Sequence, residues 1–377
     1  MSIGINITGR ERSHRRGSAR RRVLGSVALL LSLTTLAAAC GGDDDDSSSD
    51  TGDTSSANAD AKPSGELRLG YFPNVTHAPA IIGVEDGLFA DALGDAKLTT
   101  STYNSGTEAS EAILTDSIDA TFIGPNPAIN AFAESDGQVV IVSGTTSGGA
   151  SLVVRDGIDS AEDLKGTKLA TPSLGNTQDV ALRSWLKGEG YATDQNGGGD
   201  VSILPQDNAD TLTAFVDGSI DGAWVPEPWA TRLVDEGEGH VLVDEADLWP
   251  EGQFVTTPLI VRTDYLDEHP ENVKALLEGL LDSIDAANDD AEAAQATTND
   301  GIEAITNNRL EDATIAGAWE NLEFTPDPIA SSLQKSKDDA VEAGLLDDVE
   351  LDGIYDLSLL NSVLTERGES EVAGLDP

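Results

Sequence analysis

Four histidines and one cysteine are the whole stock of soft nucleophiles and metal ligands in 377 residues. Cys40 stands alone, so an intrachain disulfide is excluded. His77, His240 and His269 are scattered, and no HExxH, GxSxG or phosphate-loop pattern occurs. His240 opens an expected strand and His269 precedes Pro270 in an expected loop, both structural positions. The Asp43–Asp46 run could hold a hard cation, but a solvated linker is the plainer reading. With no acid–base pair or ligand spacing, catalysis, a metal and a cofactor are not expected.

Recognition chemistry is another matter. Small and amide residues gather where expected strands hand over to helices. Tyr71, Phe72 and Asn74 lead into a helix carrying His77, and Ser105 and Gly106 lead into the next. Gly124, Pro125 and Asn126 open a third helix; Ser173, Gly175, Asn176 and Thr177 open a fourth. A helix N-terminus presents unpaired amides and a partial positive charge. Several of them converging would hold an anion without lysine or arginine. Any one loop alone could be an ordinary cap. A fifth stretch, GAWVPEPWATRLV, packs two tryptophans and two prolines into the six residues Trp224–Trp229. Proline restricts the backbone, so Trp224, Glu227 and Trp229 read as a stiff wall for an apolar tail. A packed corner with its tryptophans in the core is the alternative.

The elements that must position these loops alternate. Strands are expected at 67–72, 97–104, 119–124, 138–146, 151–155, 168–173, 201–206, 240–245 and 254–264. Helices are expected at 77–89, 106–117, 125–134, 176–190 and 208–219. Past Tyr265 the pattern is helical, at 267–289, 291–306, 311–321, 328–343 and 356–366. Such alternation with short connections implies mostly parallel sheets covered by helices, whose ligands bind outside the carboxyl ends of strands. Two α/β units with returning helices give an α/β fold of two lobes. Residues 66–148 and 250–377 would form one lobe and 149–249 the other, with the chain crossing near 145–153 and 245–256.

Charge bounds the partners. Lys and Arg number 22 against 68 Asp and Glu, a net charge of -46. Such a surface repels nucleic acid and anionic lipid, and suits a halophile's salt-screened exterior or an acidic extracellular protein. The basic residues concentrate at the start. Seven arginines precede an apolar run, Val23–Ala39, which ends in alanines before Cys40. That pattern describes a secretory signal over 1–39. It resembles a bacterial lipoprotein signal, with acylation at Cys40, although Leu36 stands four residues before the cysteine rather than three. Arg20–Leu24 also resembles a twin-arginine signal; an ordinary basic start is the alternative. Gly, Ser and Asp dominate 40–65, an expected flexible acidic tether. The body is therefore expected to be anchored to a membrane without spanning it.

Four segments carry a family resemblance: GYFPNVTHAPAIIGVEDGLF, SGTEASEAILTDSIDATFIGPNPAINAF, EDLKGTKLATPSLGNTQDVAL and ADTLTAFVDGSIDGAWVPEPWATRLV. In order and spacing they resemble solute-binding proteins of the nitrate/sulfonate/taurine-type ABC importers, over roughly 66–285. The resemblance implies the type II periplasmic-binding-protein fold, with a central cleft and hinge strands. It implies a non-enzymatic monomer on the outer face of the membrane, serving an ABC permease and its ATPase. It places the loops named above and Trp224–Trp229 on the cleft. No basic residue falls in these loops; Arg155 and Arg262 lie near the crossings and could approach. An aliphatic sulfonate or taurine-like solute fits best, with nitrate, bicarbonate or a thiamine-pyrimidine precursor as alternatives. An enzyme on the same fold, or a protein binding a partner through 267–377, are the rival classes.

Overall fold

Runs rich in Val, Ile, Leu and Thr alternate with helical runs and resolve into eleven strands among residues 62–375, the residues described by a computed structural model. The expected signal segment, Cys40 and the tether up to residue 61 lie outside the described residues. The strands are β1 (Glu66–Tyr71), β2 (Lys97–Thr102), β3 (Ala120–Phe122), β4 (Val139–Gly148), β5 (Ala150–Val154), β6 (Lys168–Thr171), β7 (Ser202–Pro205), β8 (Gly222–Pro226), β9 (His240–Asp244), β10 (Val255–Arg262) and β11 (Leu322–Phe324).

They form two mixed sheets, one per lobe, and not the mostly parallel ones expected, because β5 and β10, which follow the crossings, run antiparallel to their neighbours. The first has the order β11-β4-β10-β3-β1-β2, and the second β7-β6-β8-β5-β9. In the first, β1 runs parallel to β2 and β3, while β10 runs antiparallel to β3 and β4. In the second, β6 runs parallel to β7 and β8, and β5 antiparallel to β8 and β9. Both sheets are covered on both faces. Leu67, Leu69, Leu276 and Leu280 build one core of the first sheet; Ile113, Ile129, Ile141 and Leu333 build the other.

The period-two alternation of strands decides where the first tryptophan of the proline-rich stretch goes. Trp224 pairs with Leu152 across β5 and β8, so it shares that residue's face. Leu152, Leu182, Leu186 and Trp224 form one buried cluster, while Ala223 and Val225 join Val153 on the opposite face. Trp224 is wholly buried, and its Nε1 donates to Glu245 Oε2 at 2.7 Å. The expectation of a Trp224 wall is therefore corrected: this ring is core.

The chain crosses between sheets twice, side by side. Gly148 and Gly149, with φ of 80° and 73°, carry it from β4 to β5. The positive φ at Gly149 favours glycine at this turn, and a Cβ there would also push against Leu322 Cδ2. The return runs into β10, where the Gly148 N–H donates to the Phe254 carbonyl at 3.3 Å.

Two local details depart from expectation. The helix expected over 77–89 is broken at Gly87, whose φ is 76°, into Ala78–Glu85 and Leu88–Leu93. Within the helical C-terminal part, Leu322–Phe324 adds an edge strand to β4. No helix among the described residues is long and apolar enough to cross a membrane.

Candidate binding cleft

Four helices begin at one place between the lobes. From the first lobe come Gly106–Leu114, capped by Ser105, and Pro125–Glu134, which starts after Gly124. From the second come Thr177–Gly188, capped by Asn176, and Asn208–Val216. Ser105 Oγ accepts from the Glu108 N–H at 3.4 Å, and Asn176 Oδ1 from the Gln178 N–H at 2.9 Å. No side chain caps the other two. Ser105, Gly124, Asn176, Thr177 and Asn208 line a cavity of about 30 Å³, together with Phe72, Asn74 and His77. Thr76, Asn104, Pro172, Gln178, Pro226, Thr256 and Thr257 complete it. That volume holds one or two waters. None of its lining residues is an acid, lysine or arginine.

The lining is left with unmet hydrogen-bonding capacity. His77 Nδ1, Thr177 Oγ1 and Asn208 Oδ1 are buried without partners. Each unmet group costs about 1–3 kcal/mol. Burial pushes His77 down to about 3, so its imidazole is neutral at ordinary pH. The Phe72 ring, 4.4 Å away between centroids, supplies part of that apolar surrounding. The site thus offers neutral donors and acceptors plus helix N-termini, a set that suits a compact polar head.

The loop ahead of Thr177 is braced from beneath. Buried Asp179 accepts from Thr171 Oγ1 at 2.9 Å, from the Gly175 N–H at 3.0 Å and from Arg183 Nε at 3.0 Å. Gly175 has φ of 73° and so serves the turn rather than the cavity.

Several other expected site residues take structural places. Tyr71 belongs to the core of the first sheet. Gly106 lets Pro127 pack close, since a Cβ there would lie 2.3 Å from Pro127 Cγ. Pro125 occupies the first turn of its helix, and Asn126 Nδ2 donates to the Ser336 carbonyl at 2.9 Å. Ser173 Oγ meets Thr107 Oγ1 of the other lobe at 3.3 Å. Glu227, raised by burial, accepts from the Thr231 N–H and hydroxyl and from Asn321 Nδ2 at 2.7 Å, tying β8 to the segment before β11. Arg155 and Arg262 do not reach the cavity. Arg155 is held by Asp221 and the Phe215 and Ile220 carbonyls, and Arg262 by Asp116 and Asp264.

Trp229 stands at a second, larger chamber of about 610 Å³, which shares Asn74, Asn104 and Asn208 with the inner cavity. Its Nε1 donates to Asn74 Oδ1 at 3.0 Å, from one lobe to the other. Arg232, overlooked in the sequence, lies over the Trp229 ring at 4.7 Å and pairs with Glu236 at 2.6 Å. Its signal was present: it sits three residues after Trp229, one turn along the same helix. Thr256 and Thr257 at the return crossing were also overlooked, because a strand interior gives no loop signal.

Comparison with known proteins accords with this geometry. A model of the NMT1-like family matches residues 60–299. The taurine-binding periplasmic protein of Escherichia coli (strain K12) is 28% identical over 206 residues, covering 54% of this chain and 62% of that protein. The bicarbonate-binding protein CmpA of a Synechococcus sp. strain is 28% identical over 244 residues, covering 58% and 52%. The chain thus spans between half and two thirds of the length of these curated relatives. The alkanesulfonate-binding protein SsuA from Xanthomonas axonopodis pv. citri, solved bound to MOPS, superposes with a TM-score of 0.62 at 19% identity. That match covers 76% of this chain and 96% of the other, and it establishes likeness of fold alone.

Proposed function

The chain belongs to the NMT1-like family, and from that premise we propose that it captures a small anionic solute outside the cell membrane for an ABC importer. An aliphatic sulfonate or taurine-like molecule is the favoured solute, delivered to a membrane permease and its ATPase. One observation carries this reading: four helix N-termini and three unpartnered buried polar atoms meet at a cavity without charged side chains. Peptide dipoles favour an oxyanion there, and the first-turn amides donate to its oxygens. Neutral His77 adds a polar contact without a counter-charge. No bond is made or broken. Residues 66–148 with 250–377 act as one half and 149–249 as the other, closing through contacts that are better made when the halves meet. The protein works as a monomer, tethered through a lipid on Cys40.

A thermal-shift screen in high salt tests this with alkanesulfonates, taurine, nitrate, bicarbonate and pyrimidines. A true ligand at 100 times its Kd adds about 2.7 kcal/mol. Stabilisation by sulfonates supports the reading, and stabilisation by none of the panel refutes it. The net charge of -46 opposes anion entry, so association should speed up as salt is added.

Asn208 Oδ1 favours a second reading. It is an acceptor without a donor, and a simple alkanesulfonate, unlike taurine, has no proton to give it. Bicarbonate or a pyrimidine would supply one. Preference for bicarbonate or a pyrimidine over taurine and every alkanesulfonate in the same screen would select this alternative.

A further inference from the structure

The inner cavity, at about 30 Å³, admits a compact head and little else. Beside it lies about 610 Å³, within the ordinary range of small-molecule sites. Asn74, Asn104 and Asn208 line both spaces, so the two adjoin. Apolar side chains face the larger chamber from both lobes: Tyr103, Ile302 and Leu310 from the first, Leu212, Val216 and Trp229 from the second. Val216 keeps 53% of its surface exposed, so the apolar lining is unfinished.

Three carboxylates line the chamber: Asp207 beside the inner cavity, Glu236, and Asp217. The helix Asn208–Val216 starts at the inner cavity and runs on the order of 13 Å at 1.5 Å per residue. Asp217 caps its far end and also lines the chamber, and no hydrogen bond or ion pair holds its carboxylate. Arg232, the basic residue present, is already paired with Glu236.

We propose that this chamber is a body subsite: it takes the apolar body of a solute whose head occupies the inner cavity, and it prefers a neutral or cationic outer end. The inference rests on the head-binding reading above. It narrows the solute from small anions at large to two-part molecules with one anionic end. A second carboxylate or sulfonate would meet Asp217 and be disfavoured, whereas an amine would pair with it.

Calorimetric titration with ethane-, butane- and octanesulfonate, then with ω-amino- and ω-carboxybutanesulfonate, tests it. Burial of each methylene should tighten binding about fourfold. The amine should bind more tightly than the carboxylate, and Asp217→Asn should reduce that preference. Val216→Asp, at an exposed position that tolerates charge, should flatten the gain with length. Tight ethanesulfonate binding with no gain for longer chains would overturn the body subsite and leave the head-binding reading intact. An undiminished gain in Val216→Asp would place the chains elsewhere and also overturn it. Failure of every sulfonate to bind removes the head-binding reading, and the subsite falls with it.

Discussion

The Trp229 indole N–H donates to Asn74 Oδ1 at 3.0 Å, and the two residues belong to different lobes. Asn74 lines both the inner cavity and the outer chamber, so this bond sits on the partition between them. Trp229→Phe keeps a ring but removes the donor. Loss of one such bond, about 0.5–1.5 kcal/mol, should weaken solute affinity roughly two- to tenfold. Calorimetry reads the affinity, and small-angle scattering of the free protein should report a wider average opening. An unchanged affinity together with an unchanged scattering profile would mean that the bond does nothing for closure.

Gly124 makes close approach of the lobes possible. A Cβ at this position would lie 2.6 Å from Thr177 Oγ1, one of the unpartnered atoms of the cavity. Gly124→Ala therefore forces Thr177 aside or holds the lobes apart. Overpacking of this kind costs about 1–3 kcal/mol, so affinity should fall about tenfold. Wild-type affinity in the variant would show that the contact is not needed for binding.

Much of this arrangement could be read from residue patterns, and the failures have physical causes. Helix starts are local features written in a few adjacent residues, so Ser105, Gly124, Asn176 and Thr177 stand out in the sequence alone. Asn208 also starts a helix at the cavity, but it follows an acidic loop without the glycine that marked the others. The direction of a side chain on a strand depends on register. Trp224 looked as available as Trp229 until its pairing with Leu152 sent it to the opposite side of the sheet from Ala223 and Val225. The family resemblance puts Glu227 on the cleft with the rest of Trp224–Trp229, whereas its partner Asn321 lies far along the chain. Contacts over such separations leave no local trace.

Asp179 shows how the core serves the cleft. With its side chain wholly buried, it pairs with Arg183 and holds the Gly175 amide and the Thr171 hydroxyl. Asp179→Ala leaves the Arg183 charge buried beside a gap and frees the loop that presents Asn176 and Thr177. Breaking a buried pair in this way costs about 3–5 kcal/mol. Urea denaturation should find that loss, and solute affinity should fall with it. Equal midpoints for variant and wild type would mean that solvent or other groups replace the carboxylate.

Glu245 gives a pH dependence whose sign can be worked out. Burial raises its carboxyl to about 7, and the Trp224 and Trp249 N–H groups, with Lys335 nearby, only partly oppose this. Between its unfolded value of 4.5 and about 7 the folded protein holds a proton that the unfolded chain has released. Stability from this group is thus complete below 4.5 and is lost as pH rises towards 7, by about 3 kcal/mol in all. His77 acts in the opposite sense: its neutral form is favoured, so its contribution is present above 6.5 and shrinks as pH falls towards 3. Comparison with Glu245→Gln isolates the glutamate, because glutamine still accepts from Trp224 and the histidine is common to both proteins. The variant should match wild type near pH 4.5 and exceed it by up to about 3 kcal/mol at pH 8. Denaturation curves across that range supply the difference, and a gap that stays constant with pH would show that Glu245 ionises as freely in the fold as out of it.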